Sequence, residues 1–420
     1  METNNQKNDQ NIIPNDADKP QKGVNVPNLR FRQFQNIWIK KSLHDITKKI
    51  NTKNKNKECK NVICNSAQLG LIKQIDFFDK EIAQDGSIKN YTIIKKNDFV
   101  YNPRKSLNAP YGPVNIYNYE EAGIVSPLYL CFSVHDIDKI FLHYYFKSQA
   151  WYRFIYLNGD SGARHDRVSI KDKVFFSQNL YLPNAIEQEK IGVFLTLIDQ
   201  RIDTQSKIIE DLDALKNSIM DQLLMRDIFN EISIKDFINQ GYARIIKASE
   251  MKKFSGEKLY LSTSSIDKNG IFKIERKITY NDRPSRASMI PIKNSVWFAK
   301  MKDSIKVYKS ENDDESKYIL STGFYGILCN EDVVNPDWIV EIFKSNYFNN
   351  QKDRFSEGSS MSGIKENQLE DIKVKLLKNK NLEKKYCQLF YILNKKLNVE
   401  TDYLEKLKEQ KKYLLSNMFI

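Results

Sequence analysis

The chain has 420 residues, 41% of them hydrophobic, with 66 Lys and Arg against 53 Asp and Glu, a formal net charge of +13. That length exceeds one ordinary core and suits two domains with connecting elements, and the charge points to a polyanion or an anionic surface, beside the plainer reading of solubility alone. Five cysteines in so long a chain make no disulfide framework, and no apolar run approaches the ~20 residues that span a bilayer, so reduced thiols, a cytoplasmic location and no membrane contact are expected.

Residues 1–25 are rich in Asn, Gln, Asp and Lys and lack an apolar core. They read as a disordered extension, neither signal peptide nor anchor. Folded sequence starts at Val26-Pro27-Asn28-Leu29-Arg30-Phe31 and, with Trp38 and Leu43, opens a mixed block assigned to 26–184. Strands are expected at Tyr91–Ile94, Phe99–Tyr101 and Leu128–Phe132, between Asn, Pro and Gly turns, and a helix at Asp136–Lys147. Cys59 and Cys64 form the one close cysteine pair, without the His or second pair that a zinc site needs, so no metal site is expected.

Leu182-Pro183 closes this block, and a helix starts near Ile186 and runs without Pro to about Phe229. At about 1.5 Å per residue it would measure ~60 Å, which implies a coiled coil or spacer; it is assigned to 185–230. A second mixed block (231–378) repeats the order of the first. Ile234-Lys235-Asp236-Phe237 answers Leu43-His44-Asp45-Ile46, Val296-Trp297-Phe298 answers Phe99-Val100-Tyr101, and Phe343-Lys344-Ser345 answers Phe146-Lys147-Ser148. Gly358-Ser359-Ser360 answers Gly159–Gly162 loosely. A second long helix is assigned to 379–420.

The two helices share one pattern. Glu187–Met225 maps onto Leu382–Ile420 without a gap, every position shifting by 195. Ile191, Leu195, Ile198, Ile202, Ile209, Leu212 and Ile219 fall on Tyr386, Phe390, Leu393, Leu397, Leu404, Leu407 and Leu414. Steps of mostly three and four give the seam of a coiled coil. Two matched seams, each after a similar block, are most simply satisfied by each other. A pseudo-two-fold relation then makes the pair antiparallel. Gln205 and Glu400 hold equivalent seam positions, where a polar residue discourages register slip.

Some fragments imitate catalysts. Gly159-Asp160-Ser161-Gly162 looks like a protease nucleophile segment, but the His and acid partners have no matching pattern. Pro336-Asp337 with Glu341 and Lys344 looks like a metal-dependent nuclease, but two residues separate acid from lysine and Trp338–Lys344 reads as helical. No phosphate loop, dinucleotide fingerprint or target-base motif of an amino-methylating DNA enzyme is present. Basic residues among aromatics and turn formers stand out instead: Asn102, Arg104 and Lys105; Arg164 and Arg167; Arg283, Ser285 and Arg286; Lys300, Lys302 and Lys306. With Ser359 and Ser360 they are the candidate DNA contacts, since Arg forks onto guanine or phosphate, Asn pairs with adenine edges, and Ser and Lys suit phosphates.

Leu182-Pro183-Asn184-Ala185-Ile186-Glu187-Gln188-Glu189-Lys190-Ile191, then Leu197-Ile198-Asp199-Gln200-Arg201-Ile202, resembles the central conserved region of the specificity subunits of type I restriction–modification systems. Val26–Phe31 with Trp38, Tyr101–Arg104, Gly123–Tyr129, Leu261-Ser262-Thr263, Pro284–Ala287 and Ser321–Phe324 are similar to further family segments. The resemblance implies two α/β target-recognition domains held by a pair of long antiparallel coiled-coil helices. It implies a bipartite double-stranded DNA target, two docked modification (methyltransferase) subunits and restriction (motor-nuclease) subunits. Pro183, Glu187 and Gln188 would contact a subunit. S-adenosylmethionine, ATP and Mg would sit on those partners, and this chain would supply no chemistry. The second repeat departs from the pattern: Lys378, Leu382 and Glu383 replace Pro183, Glu187 and Gln188. The alternatives are a stand-alone DNA-modifying enzyme and a coiled-coil adaptor that binds no DNA.

Overall fold

The computed structural model describes residues 25–78, 88–160, 166–267, 276–312, 314–355, 364, 368 and 371–420. Arg164, Ser161, Gly162 and Gly358-Ser359-Ser360 lie outside the described residues. The chain divides into two compact units, Met1–Thr204 with Tyr403–Ile420, and Gln205–Asp402.

Unit 1 runs β1 (Ile39–Ser42), β2 (Thr47–Lys49), β3 (Ile63–Ser66), β4 (Gly70–Lys73), α1 (Gln74–Phe78), β5 (Thr92–Ile94), β6 (Phe99–Tyr101), β7 (Val114–Ile116), β8 (Gly123–Val125), β9 (Leu130–Val134), α2 (Lys139–Lys147), α3 (Tyr152–Asn158), α4 (Asp172–Phe176), β10 (Asn179–Leu182) and the start of α5 (Ala185–Leu224). Its main sheet is antiparallel in the order β2-β9-β6-β7, beside the pairs β1-β10, β3-β4 and β5-β8. Successive strand residues face opposite ways. Phe99 and Tyr101 therefore enter a core with Phe132, Phe146, Trp151 and Phe175, while Val100 enters a second one with Ile63, Ile94, Tyr117 and Val125.

Unit 2 takes the rest of α5, then β11 (Phe229–Ser233), α6 (Ile234–Asn239), β12 (Ala243–Ile245), β13 (Lys258–Leu261), β14 (Arg276–Ile278), β15 (Ala287–Met289), β16 (Ser295–Ala299), β17 (Val307–Lys309), α7 (Asp314–Lys317), β18 (Tyr318–Ser321), β19 (Phe324–Cys329), α8 (Pro336–Lys344), α9 (Asn346–Phe355), β20 (Lys373–Leu377) and most of α10 (Lys380–Asn417). Its main sheet, β12-β19-β16-β17, reproduces that of unit 1 strand for strand, and β11-β20 answers β1-β10. The register agrees as well: Phe99 lies opposite Phe132 and Tyr101 opposite Leu130, as Val296 lies opposite Ile327 and Phe298 opposite Tyr325. Trp297 turns to the other side, across Gly326, where a Cβ would come within 2.2 Å of its ring. The outer strands differ, since unit 2 joins them into one sheet, β14-β13-β18-β15.

Several expected bounds shift. The helix expected from Asp136 starts at Lys139, because Asp138 caps it by accepting from Phe141 N at 2.7 Å. The strand expected at Leu128–Phe132 begins two residues later, at Leu130. The helix expected to reach Phe229 stops at Leu224, because Phe229 opens β11 opposite Leu377 and stacks its ring on Trp338 at 5.7 Å.

Within unit 1 the first part of α5 meets the last part of α10. Ile191 and Leu195 share a core with Leu414, Met418 and Phe419, and Arg201 donates to the Tyr403 hydroxyl. Within unit 2 the last part of α5 meets the first part of α10, with Met220, Leu223 and Leu224 packed beside Cys387 and Phe390. Each encounter is antiparallel. Ile191, Leu195, Phe390, Leu397, Leu404, Leu407 and Leu414 are buried, and Ile198, Ile202, Ile209, Leu212, Ile219, Tyr386 and Leu393 are half-buried. The equivalent pair Gln205 and Glu400 touch each other, Gln205 Nε2 donating to Glu400 Oε2 at 2.5 Å.

Candidate nucleic-acid interface

In unit 1 the candidate residues gather at an open cleft of about 690 Å³, lined by Asn65, Asn102, Arg104, Lys105, Tyr129 and Arg167 among others. The loop carrying Asn102, Arg104 and Lys105 leaves the end of β6. Asn102 Oδ1 accepts from Arg104 N at 3.1 Å, an Asx turn that fixes the loop's first bend. Gly112 closes the loop at φ +83°, and a Cβ there would come within 2.1 Å of Asn102 O. The segment around Arg167 is pinned alongside. Lys105 N donates to Asp166 O at 2.8 Å and Val168 N to Pro103 O at 2.9 Å. Arg104 is 69% exposed, with Asp166 3.8 Å away, whereas Lys105 and Arg167 are half-buried.

Asn65 and Asn115, which the sequence does not single out, join Asn102 and Lys147 in a chain of side chains that supports the cleft floor. Lys147 Nζ donates to Asn115 Oδ1 at 2.6 Å, and Asn115 Nδ2 donates to Asn65 Oδ1 at 2.6 Å. Asn65 Nδ2 donates to Val100 O at 2.7 Å, and Asn102 Nδ2 donates to Asn65 O at 3.1 Å. Asn65, Asn102 and Asn115 are each at most 9% exposed, so these bonds satisfy groups that would otherwise be buried without partners. Burial, with Lys411 adding to it, lowers the Lys147 pKa to about 8.

In unit 2 the corresponding loop leaves β16, the counterpart of β6, and carries Lys300, Lys302 and Lys306. It draws together three segments that are far apart in sequence. Lys306 Nζ donates to Thr263 O at 2.5 Å, Lys300 N to Gly323 O at 2.9 Å and Thr322 N to Arg286 O at 2.9 Å. Ile364 N donates to Lys300 O at 3.1 Å, as Val168 N does to Pro103 O in unit 1. The loop is held from below by Lys352, 1% exposed, whose Nζ donates to Met301 O at 3.1 Å and Ser304 O at 2.7 Å. Ser285, Arg286 and Lys302 are exposed and Lys300 and Lys306 half-buried. Arg283 lies over the Tyr280 ring at 4.1 Å and donates to Tyr280 O at 2.6 Å, a stacked and oriented guanidinium.

Pro183, Glu187 and Gln188 are buried, and their groups are engaged inside unit 1. Both Glu187 oxygens accept from Arg30, Nε and Nη2, at 2.6 Å, a bidentate pair that ties the segment before β1 to α5. Gln188 Oε1 accepts from Asp138 N, the residue that caps α2, at 2.9 Å, and Nε2 donates to Pro183 O at 2.9 Å. These side chains hold the fold. Glu383, the counterpart of Gln188, accepts from Asn335 N, the residue that caps α8, at 3.1 Å. The second repeat thus keeps a contact that its changed residues conceal.

No family model and no curated protein matches the sequence. Solved structures do. The S subunit of a type I restriction–modification system from M. genitalium is similar with a TM-score of 0.53 and 16% identity, over 94% of this chain and 99% of that one. A chain from a type I restriction–modification system, solved for complex assembly and conformational transition, gives a TM-score of 0.55 and 9% identity, over 90% and 96%. The chain therefore shares the fold of the S subunit of a type I restriction–modification system, with two similar α/β units that each hold part of a pair of long antiparallel helices.

Proposed function

We propose that the chain is the DNA sequence-specificity subunit of a type I restriction–modification complex. The observation that carries this reading is the paired basic loop: equivalent strands, β6 and β16, each deliver lysine or arginine side chains at the same point of the two units. Under this reading each module takes one half of a bipartite double-stranded DNA site. Asn102, Arg104, Lys105 and Arg167 serve one half, and Arg283, Ser285, Arg286, Lys300, Lys302 and Lys306 the other. Arg164, Ser359 and Ser360 remain part of the proposal from sequence. The helices set the spacer and dock two modification subunits near Pro183, Glu187 and Gln188, where Ile186 is 70% exposed; restriction subunits join that assembly. S-adenosylmethionine, ATP and Mg reside on those subunits, which flip and methylate the adenine. This chain selects sequence and does no chemistry.

The test replaces Ile232–Leu377 with the corresponding segment of another specificity subunit and maps methylation in cells that supply the modification subunits. One half-site should change while the other stays. An unchanged target overturns the assignment. Binding should also weaken steeply with salt, and Arg104→Ala should reduce the slope of log K against log salt by about 1 if that arginine meets a phosphate.

A further inference from the structure

Where each module meets its helices, three side chains form a polar cluster, and the two clusters occupy equivalent positions with their chemistry exchanged. In unit 1 the carboxylate is on the helix: Asp199 of α5 pairs with Lys411 of α10 and accepts from the Tyr144 hydroxyl of α2 at 2.8 Å. In unit 2 the carboxylate is on the module: Glu341 of α8 pairs with Lys216 of α5 at 3.0 Å and accepts from Asn394 Nδ2 of α10 at 2.8 Å. Lys216 Nζ also donates to Asn394 Oδ1 at 2.6 Å. Lys411 is the counterpart of Lys216 and Asn394 that of Asp199, both at the offset of 195 that relates the helices, and Glu341 stands where α2 has Tyr144. The unit 2 cluster is sheltered, with Lys216 8% and Glu341 5% exposed, whereas in unit 1 Tyr144 is buried at 3% and the Asp199–Lys411 pair is half-buried. Each has one carboxylate that takes a lysine and one neutral donor that completes it. The direction of the neutral hydrogen bond is reversed, from module to helix in unit 1 and from helix to module in unit 2.

We propose that this cluster matches each module to the helix that follows it, so that the two modules are not interchangeable without moving the carboxylate. A module presenting Tyr needs Asp on its helix; one presenting Glu needs a donor there. A mismatch leaves either two facing carboxylates with no proton between them or a sheltered lysine with no acid, and both are costly. The proposal does not depend on the DNA-reading assignment.

A double-mutant cycle in the full-length chain tests it. Glu341→Gln keeps the shape of unit 2's acid and removes its charge, and should lower the melting temperature by about 3 °C or more. Asn394→Asp should lower it in the wild-type background, where it faces Glu341, and raise it in the Glu341→Gln background. There the new amide at position 341 would donate to the new carboxylate at position 394, as Tyr144 donates to Asp199. The mirror cycle uses Asp199→Asn, with Tyr144→Glu as the restoring change. A shift from Asn394→Asp of the same sign and size in both backgrounds overturns the proposal. The Glu341→Gln and Asn394→Asp changes are nearly isosteric, so the unit 2 cycle stays readable if Tyr144→Glu fails to fold.

Discussion

Both units build the same four-stranded sheet, place a helix behind it and close the carbonyl end of that helix in the same way. Ser148 Oγ donates to Tyr145 O and Ser345 Oγ to Ile342 O, each at 2.6 Å. They differ at the rim: three asparagines and a lysine support one basic loop, whereas Lys352 and Asp353 of α9 are among the residues that hold the other. Identity between the halves is low because packing asks only for apolar shape, so Tyr101 can become Phe298 and Phe132 can become Ile327. The contrast teaches that duplication survives as register and capping, whereas loop support has been rebuilt separately in each half.

The largest expected effect breaks a feature that one unit has and the other lacks. Glu187 is fully buried against Arg30, while its counterpart in unit 2 is the apolar Leu382. Glu187→Ala leaves a sheltered guanidinium unpaired and should cost about 3–5 kcal/mol of stability. Replacing both partners with leucine, the solution of unit 2, should cost much less. Chemical denaturation of the three chains checks the order, and equal losses would show that the pair is not coupled.

Gly112 sharpens the contrast at the loop. Gly112→Ala combines a left-handed backbone with a clash against Asn102 O and should cost on the order of 3 kcal/mol locally. If the loop reads DNA, recognition of one half-site should weaken while the other is retained, as methylation mapping would show.

His143 separates the units by pH. Burial, reinforced by Lys147 and Lys411, lowers its pKa to about 3, and the equivalent position in unit 2 is Val340, which does not titrate. The folded chain keeps the ring neutral, whereas the unfolded chain takes up a proton below about pH 6.5. Stability is therefore lost as pH falls from about 6.5 towards 3. About 2 kcal/mol less stability is expected at pH 5 than at pH 7 from this group. In His143→Val that part of the pH slope should vanish; an unchanged slope would place the titrating group elsewhere.

The smallest effect concerns Gln188 and Glu383, which both accept from a helix-capping residue. Glu383→Gln keeps the acceptor and should change stability by less than ~1 kcal/mol. Gln188→Glu should cost more, because it also removes the bond to Pro183 O. Melting curves of both variants decide whether the two contacts are equivalent.

The seam is legible in the sequence because helical periodicity is a local signal, and the antiparallel pairing follows from the repeat. The strand Phe99–Tyr101 is legible from its β-formers. The support of the loops is not. Asn65, Asn115 and Lys352 look like ordinary surface residues in sequence, and only long-range contacts reveal that they are buried and bonded. The gathering of Thr263, Arg286, Gly323 and Lys300 is hidden for the same reason, although each stands in a segment that its sequence singles out or next to one. Glu383 looks like a lost motif in sequence because residue identity changed while acceptor chemistry did not.

The most direct measurement is methylation mapping of a host that expresses this chain with its modification subunits. The account predicts one new motif made of two short half-sites separated by an unspecified spacer of fixed length, and a longer spacer with unchanged half-sites when four residues, about one turn, are inserted at matching points of α5 and α10. A single continuous motif, or half-sites that change with the insertion, would contradict it.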